Sequence, residues 1–532
     1  MPPDRGRASR ACTACRKIKT RCYESDVTGR PCLRCERLSR LEQTVSSLVK
    51  RLGEDGAHRR TSFISTASPN PIPENDASSG IHSTAPVLLI RDVAYEVGVR
   101  QQHTTGVSPR STGDSSDIIS KGLITTQQAS EMIELFHKHY GRWVAFSPTA
   151  LLHTILEEVR QSPLLLCACS LIAIRHSAPQ LAPILAPQLF QEARTLLASA
   201  LLDTPQSIEF FQATIILSMW STTIGQTPLS IDSWLVSGFA LQHSLASDIF
   251  APIISPDHST SVSRSELDRW CIWNHLCLAH LHYCVGTRRR SILDRKQINE
   301  CRKILDSDHA TNFETRMVAE VNLYWIIYES CLKVPVDLPS TQAALHEWRQ
   351  EWKFLFDQPR SQFLQMGFQF AQLLAFDQAL KSRSAAVRES LVSEMIRLSA
   401  SIIQLALDTA DARTRHLSDH VYHMITFAAV TLCRLLHMYE SQVASSHNLL
   451  ELDSLVLTLI TWLHSIGLPC HVAHTLGDVV SAFHIKLRPN TYSPSDSQTL
   501  DELRLYFPDL LGMESLDGGN YDFLPDWEPQ NQ

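Results

Sequence analysis

Five cysteines fall within 24 residues near the start of the chain, in the order Cys12-x2-Cys15-x6-Cys22-x9-Cys32-x2-Cys35. No other feature restricts the fold of this region so strongly. Each C-x2-C pair can grip a tetrahedral ion from a tight turn, and two such pairs predict structural zinc. A redox dithiol would call for a βαβ setting, which the neighbouring residues do not supply. The other nine of the 14 cysteines are scattered, which argues against a disulfide framework. Cys167, Cys169, Cys271, Cys277, Cys284, Cys331 and Cys433 lie in apolar stretches, where free cysteine behaves as a small buried hydrophobe. Cys301 and Cys470 sit nearer predicted helix ends and are expected to be the more reactive.

Charge divides the chain in the same place. Residues 1–60 hold 15 Lys+Arg against 7 Asp+Glu, a net of +8, while the rest holds 33 against 48, a net of −15. A short basic head on a long acidic body predicts an arm that binds a polyanion. The N-terminal residues MPPDRGRASRAC contain no apolar leader, and no unbroken apolar run reaches the ~18 residues of a membrane span. The expectation is therefore no secretory signal and no membrane partner.

Composition separates five regions: 1–38 basic and cysteine-rich, 39–52 a short coiled coil, 53–122 a linker, 123–490 a helical body and 491–532 an acidic tail. Leu41, Val45, Leu48 and Leu52 follow the 3-4 spacing of a coiled-coil seam, preceded by Leu38 and ended by Gly53. The linker (TASPNPIPENDASSG) has a disordered composition, interrupted by the apolar island Ala85–Val99.

From Thr125 to Leu487 the apolar spacing is helical with little alternation, so the body is predicted all-α. TTQQASEMIELFHKHY opens on threonines suited to an N-cap and puts Met132, Leu135, Phe136 and His139 on one face. Pro163–Ile174 and Met424–Cys433 are predicted core helices, and no repeat of fixed period is visible. In the tail, residues 501–532 carry 8 acids and a single base, Arg504, interleaved with Tyr506, Phe507, Leu510, Tyr521, Phe523 and Trp527. That alternation suits a segment that folds on a coactivator groove, and suits an ordinary solvated tail equally.

The stretch ACTACRKIKTRCYESDVTGRPCLRC resembles the fungal binuclear zinc-cluster transcription factors over about 25 residues. The resemblance implies that Cys12, Cys15, Cys22 and Cys32 hold one zinc ion, and that Cys12, Cys32 and Cys35 hold part of a second. Pro31 matches the family's loop proline. The family's sixth cysteine is missing: Glu42, Gln43 and Thr44 stand where it is expected, and CERL runs directly into the coiled coil. The simplest account is a cysteine-bearing segment and linker absent between Leu38 and Ser39, as a misplaced splice junction would produce. A degenerate domain or an alternative isoform are the other accounts. As written, the second ion lacks a thiolate and should bind less tightly.

The resemblance makes the segment after Cys15 a short helix in the DNA major groove, with Lys19 reaching guanine acceptors of CGG triplets. Arg16, Lys17 and Arg21 are assigned to phosphates, where charge adds affinity without choosing sequence. The seam at Leu41, Val45, Leu48 and Leu52 implies a homodimer on double-stranded DNA, although a helix of about 14 residues is marginal alone. The body resembles the family's middle regulatory region, through MIELFHKHYGRWVAFSP, DSWLVSGFAL and RWCIWNHLCLAHLHYCVG.

Trp234, Gly238 and Phe239 read as packing residues, and Arg288–Arg290 as a solvated loop. His471 and His474 form an H-x2-H without the glutamate of a metalloprotease helix. No phosphate-binding loop, nucleophile elbow or dinucleotide fingerprint is present, so the expectation is a nuclear, zinc-dependent transcription regulator and not an enzyme. A truncated member that pairs with an intact one, without binding DNA, is the alternative.

Overall fold

The computed structural model describes residues 116–177, 179–220, 231–254, 262–331, 336–380 and 385–489. Every regular element among them is helical. In chain order the longer helices are α1 (Thr126–Tyr140), α2 (Leu152–Arg160), α3 (Pro163–Ala173), α4 (Ala182–Ala200), α5 (Ile208–Met219), α6 (Ser233–Leu245), α7 (Arg264–Thr287), α8 (Arg295–Glu300), α9 (Asn312–Cys331), α10 (Leu338–Glu351), α11 (Gln362–Leu380), α12 (Ala385–Asp408), α13 (Asp419–Met438), α14 (Leu449–His464) and α15 (Val472–Leu487). Single helical turns and 3-10 segments join several of them.

Capping residues in the sequence set the helix starts. Thr125 accepts a hydrogen bond from the Gln128 amide at 3.1 Å, and the Gln128 side chain accepts from the Thr125 amide at 2.8 Å. The same reciprocal box opens α7 at Ser263/Glu266 and α8 at Asp294/Gln297. Ser162 caps α3, where Pro163 occupies the first turn and gives up an amide that has no helical acceptor. The buried face of α1 is Ala129, Met132, Ile133, Phe136 and Tyr140. Leu135 and His139, expected on that face, lie half-buried at its flank, because a 3.6-residue turn centres the stripe on the 129–133–136–140 line.

Three helices are covered on all sides: α3 from Leu164 to Ala173, α5 from Phe210 to Met219, and α7 from Trp270 to His282. α3 packs against α1, α4 and α5, while α7 lies against α5, α6 and α9. The second half continues through α9, α11, α12 and α13, with α14 and α15 packed on α12 and α13 respectively and on each other. The predicted core helices at Pro163–Ile174 and Met424–Cys433 fall in α3 and α13.

Residues 116–122, which composition places in the linker, form turns packed on this body. Ile118 is fully buried, and Asp117 pairs with Arg160 at 2.9 Å. Two helical stretches, Glu389–Asp408 and Asp419–Met438, have the length and hydropathy of a membrane span, although polar residues interrupt the apolar run in each. They are half and three-fifths buried inside the body, as core helices are, and α12 packs directly on α13.

Candidate functional site

The predicted zinc ligands Cys12, Cys15, Cys22, Cys32 and Cys35 lie outside the described residues. So do the DNA-contact residues Arg16, Lys17, Lys19 and Arg21, the seam Leu41, Val45, Leu48 and Leu52, and the acidic tail. Among the described residues no group of three or more His, Cys, Asp or Glu side chains could hold a metal ion.

The body's own concentration of polar chemistry is a hub where its first and last helices meet. Arg175, just beyond α3, is 2% exposed and reaches Asp419, 0% exposed in the first turn of α13, at 3.2 Å. Its other terminal nitrogen donates to the Trp220 carbonyl at the end of α5. Trp220 in turn donates from Nε1 to the Leu417 carbonyl at 3.0 Å. Beside this pair the Tyr140 hydroxyl lies 2.8 Å from both His176 Nε2 and His416 Nδ1. One hydroxyl proton can serve only one of two neutral rings, so the other ring donates to the phenol oxygen. His139 stacks on His416 at 3.8 Å between centroids.

His471 caps α15, accepting from the Ala473 amide at 3.1 Å and donating from Nε2 to the Arg415 carbonyl at 3.0 Å. Burial pushes His416 and His471 down to about 3, and drives His176 down further. Burial raises the Tyr140 phenol well above its ordinary value. Neutral rings held by fixed donors suit a structural tie between helices, and the hub offers no activated nucleophile.

A second tie joins α7, α9 and α13. His282 and His420 stack at 3.8 Å, and the Tyr324 hydroxyl bonds His420 Nε2 and donates to Met424 Sδ at 3.2 Å. Neither cluster was legible in the sequence. The pair Arg175 and His176 lies far in the chain from His416 and Asp419, and no periodicity marks them. The one available signal was charge beside apolar runs, as in SLIAIRH.

Other sequence expectations fall into place or need correction. Trp234 stacks on His280, and Gly238 lies over the same ring, a packing arrangement. Cys301 and Cys470 are buried along with six other cysteines, so their positions near helix ends do not make them accessible. Burial raises the Cys470 thiol, and His471 serves as a cap rather than a metal ligand. The Arg288–Arg290 loop is pinned to the body. Arg289 pairs with Asp232 at 2.5 Å and lies over the Trp234 ring, and Trp234 Nε1 donates to the Arg290 carbonyl.

Comparison with known proteins places these features. Residues 122–487 match the family model described as the transcriptional activator of proteases prtT middle domain. Residues 10–43 match the fungal Zn(2)-Cys(6) binuclear cluster domain. An uncharacterized transcriptional regulatory protein of Schizosaccharomyces pombe is 25% identical over 94% of this chain and 95% of its own length. The transcriptional activator of proteases prtT of Aspergillus clavatus is 25% identical over 80% of this chain and 74% of its own. That of Penicillium rubens is 27% identical over 80% and 71%. No solved structure matches. The cluster domain implies zinc and DNA binding, and the relatives' names describe regulators of transcription rather than enzymes. The chain thus belongs to the fungal Zn(2)-Cys(6) transcription regulators that carry a prtT-type middle domain.

Proposed function

We propose that this protein regulates RNA polymerase II transcription from the nucleus by reading CGG-type half-sites as a homodimer. The carrying observation is that the span matched to the cluster domain, residues 10–43, encloses all five clustered cysteines and the basic run from Arg16 to Arg21. The donor chemistry fits the metal: thiolates in two C-x2-C pairs are soft ligands suited to zinc. Cys12, Cys15, Cys22 and Cys32 hold one ion, and Cys35 joins Cys12 and Cys32 at a second site that is one sulfur short. Zinc, when bound, supplies the cross-links that fold so short a head.

Lys19 then reads guanine O6 and N7 in the major groove, while Arg16, Lys17 and Arg21 hold phosphates. Leu41, Val45, Leu48 and Leu52 pair two chains, residues 53–122 tether the head, and the helical body governs activity. The acidic tail, residues 491–532, recruits coactivator. Since several relatives carry the name activator of proteases, promoters of protease genes are the first targets to examine.

The test is zinc content and duplex binding of the full chain. About one to two zinc ions per chain, with retention of CGG-bearing duplex over scrambled duplex, supports the proposal. Metal-free protein with no sequence preference refutes it.

A second reading rests on the missing sixth cysteine: a chain that does not bind DNA and pairs with an intact relative. Transcript reads across the codons for Leu38 and Ser39 separate the two. An in-frame segment bearing a cysteine there restores the six-thiolate head, and its absence favours the second reading.

A further inference from the structure

The run Arg288-Arg289-Arg290-Ser291-Ile292 joins α7 to α8 on the surface of the body, and it holds the chain's one stretch of three consecutive cations. The backbone carries no helix from Arg288 to Asp294, and Arg288 takes φ 53, the left-handed turn that ends α7. Arg288, Arg290 and Ile292 are exposed, and the Arg289 side chain is 44% exposed even though it pairs with Asp232. Exposed pairs of that kind hold a loop only weakly.

Two arginines standing three and two positions before a serine, with an aliphatic residue just after it, form the pattern that basophilic serine/threonine kinases read. Carboxylates of the kinase pair with the guanidiniums, and an apolar pocket takes the residue that follows the serine. The same pattern recurs at Arg59-Arg60-Thr61-Ser62-Phe63, outside the described residues. In the body the serine is half-buried and held by a few bonds. Its amide donates to the Tyr328 hydroxyl at 2.9 Å, its Oγ accepts from the Leu293 amide at 3.0 Å, and its hydroxyl meets the Cys284 thiol. The Ile292 amide donates to His280 Nε2 at 3.3 Å. Leu293, 6% exposed, is the buried anchor of the loop and lies beyond the five residues that a kinase reads. Opening of Arg288–Ile292 therefore breaks loop contacts without withdrawing an apolar side chain from the core.

We infer that Ser291 is a phosphorylation site for a basophilic serine/threonine kinase, and that the phosphate keeps the loop undocked. The kinase transfers the γ-phosphoryl group of ATP. The bond from phosphorus to Ser291 Oγ forms, the bond to the ADP oxygen breaks, and the hydroxyl proton passes to the carboxylate base of the kinase. Phosphoserine carries a charge of about −2, whereas the docked position offers its Oγ only one amide and the buried Cys284 thiol. Redocking would strip a dianion of its water, while the exposed Arg288 and Arg290 can pair with it outside. The inference stands apart from the reading of the head, because nothing in it depends on zinc or DNA.

The experiment incubates the folded full chain with Mg-ATP and the purified catalytic subunit of a cyclic-AMP-dependent kinase, and follows Ser291 and Ser62 separately by mass spectrometry. Phosphate at Ser291 is expected, with labelling slowed about tenfold or more in Arg288→Asn, which keeps a residue suited to the left-handed turn. Tyr328→Phe, which removes the hydroxyl that holds the Ser291 amide, should speed labelling of Ser291 about fivefold and leave Ser62 unchanged. Matched melting curves confirm that both variants fold. Labelling of Ser62 without Ser291 overturns the inference, as does labelling of neither, or labelling of Ser291 only after heat unfolding. An unchanged rate in Arg288→Asn overturns the reading of the arginines, and an unchanged rate in Tyr328→Phe overturns the control by docking.

Discussion

The Arg175–Asp419 pair gives the sharpest test of how the body is held together. Both side chains are at most 2% exposed, and their contact at 3.2 Å joins the end of α3 to the start of α13 across 244 positions of sequence. Removing one member of a buried pair strands the other charge, which costs about 3–5 kcal/mol. Arg175→Met also takes the donor from the Trp220 carbonyl, so it belongs at the upper end. Unfolding entropy of about 2.1 cal/mol/K per residue, over a body the length of residues 116–489, gives about 0.8 kcal/mol/K. The loss therefore lowers the melting temperature by about 4–6 °C for either Arg175→Met or Asp419→Asn.

The double variant is the informative one. With both charges gone no ion is stranded, so its loss should be smaller than the two single losses added together, by about 2–3 kcal/mol. Calorimetric melting of the parent, both singles and the double at neutral pH completes the cycle. Singles within about 1 °C of the parent, or a double whose loss equals the sum, would refute the view that this ion pair ties the two ends of the body.

Other expectations follow from the same contacts. His471 is buried and neutral with a value near 3, below its unfolded 6.5, so the unfolded chain binds the extra proton. Its contribution is complete above about pH 6.5 and is lost as pH falls toward 3, by about 2 kcal/mol at pH 5. Melting curves between pH 7 and pH 5 should therefore be less steep in pH for His471→Asn, which keeps the α15 cap; an identical slope would exclude His471 as a source. Gly238→Ala should stabilise α6 by about 0.5–1 kcal/mol, since its Cβ would meet the His280 ring at an ordinary 3.6 Å; a lower midpoint in urea would contradict that. In duplex-binding assays Lys19→Ala should cost about 1–3 kcal/mol and relax choice at one base, whereas Lys17→Ala should weaken all duplexes alike. Equal, sequence-independent losses would remove Lys19 from base reading.

Helix starts were legible wherever a side chain marks them locally: Thr125 with Gln128, and Ser162 ahead of Pro163, each act within three residues. The interior helices α3 and α5 were legible as well, because apolar residues on every side have no stable place at a surface. α10 carries a weaker local signal. In α10 charged and polar residues break up the apolar stripe.

The cysteine spacing, the basic head and the helical period were decided by the sequence itself, since each is a local pattern whose chemistry needs no distant residue. The hub at Arg175, Tyr140, His416 and Asp419 was decided only by tertiary packing. A buried charge or a paired ring is stable only beside its complement, and folding alone determines which distant residue supplies it.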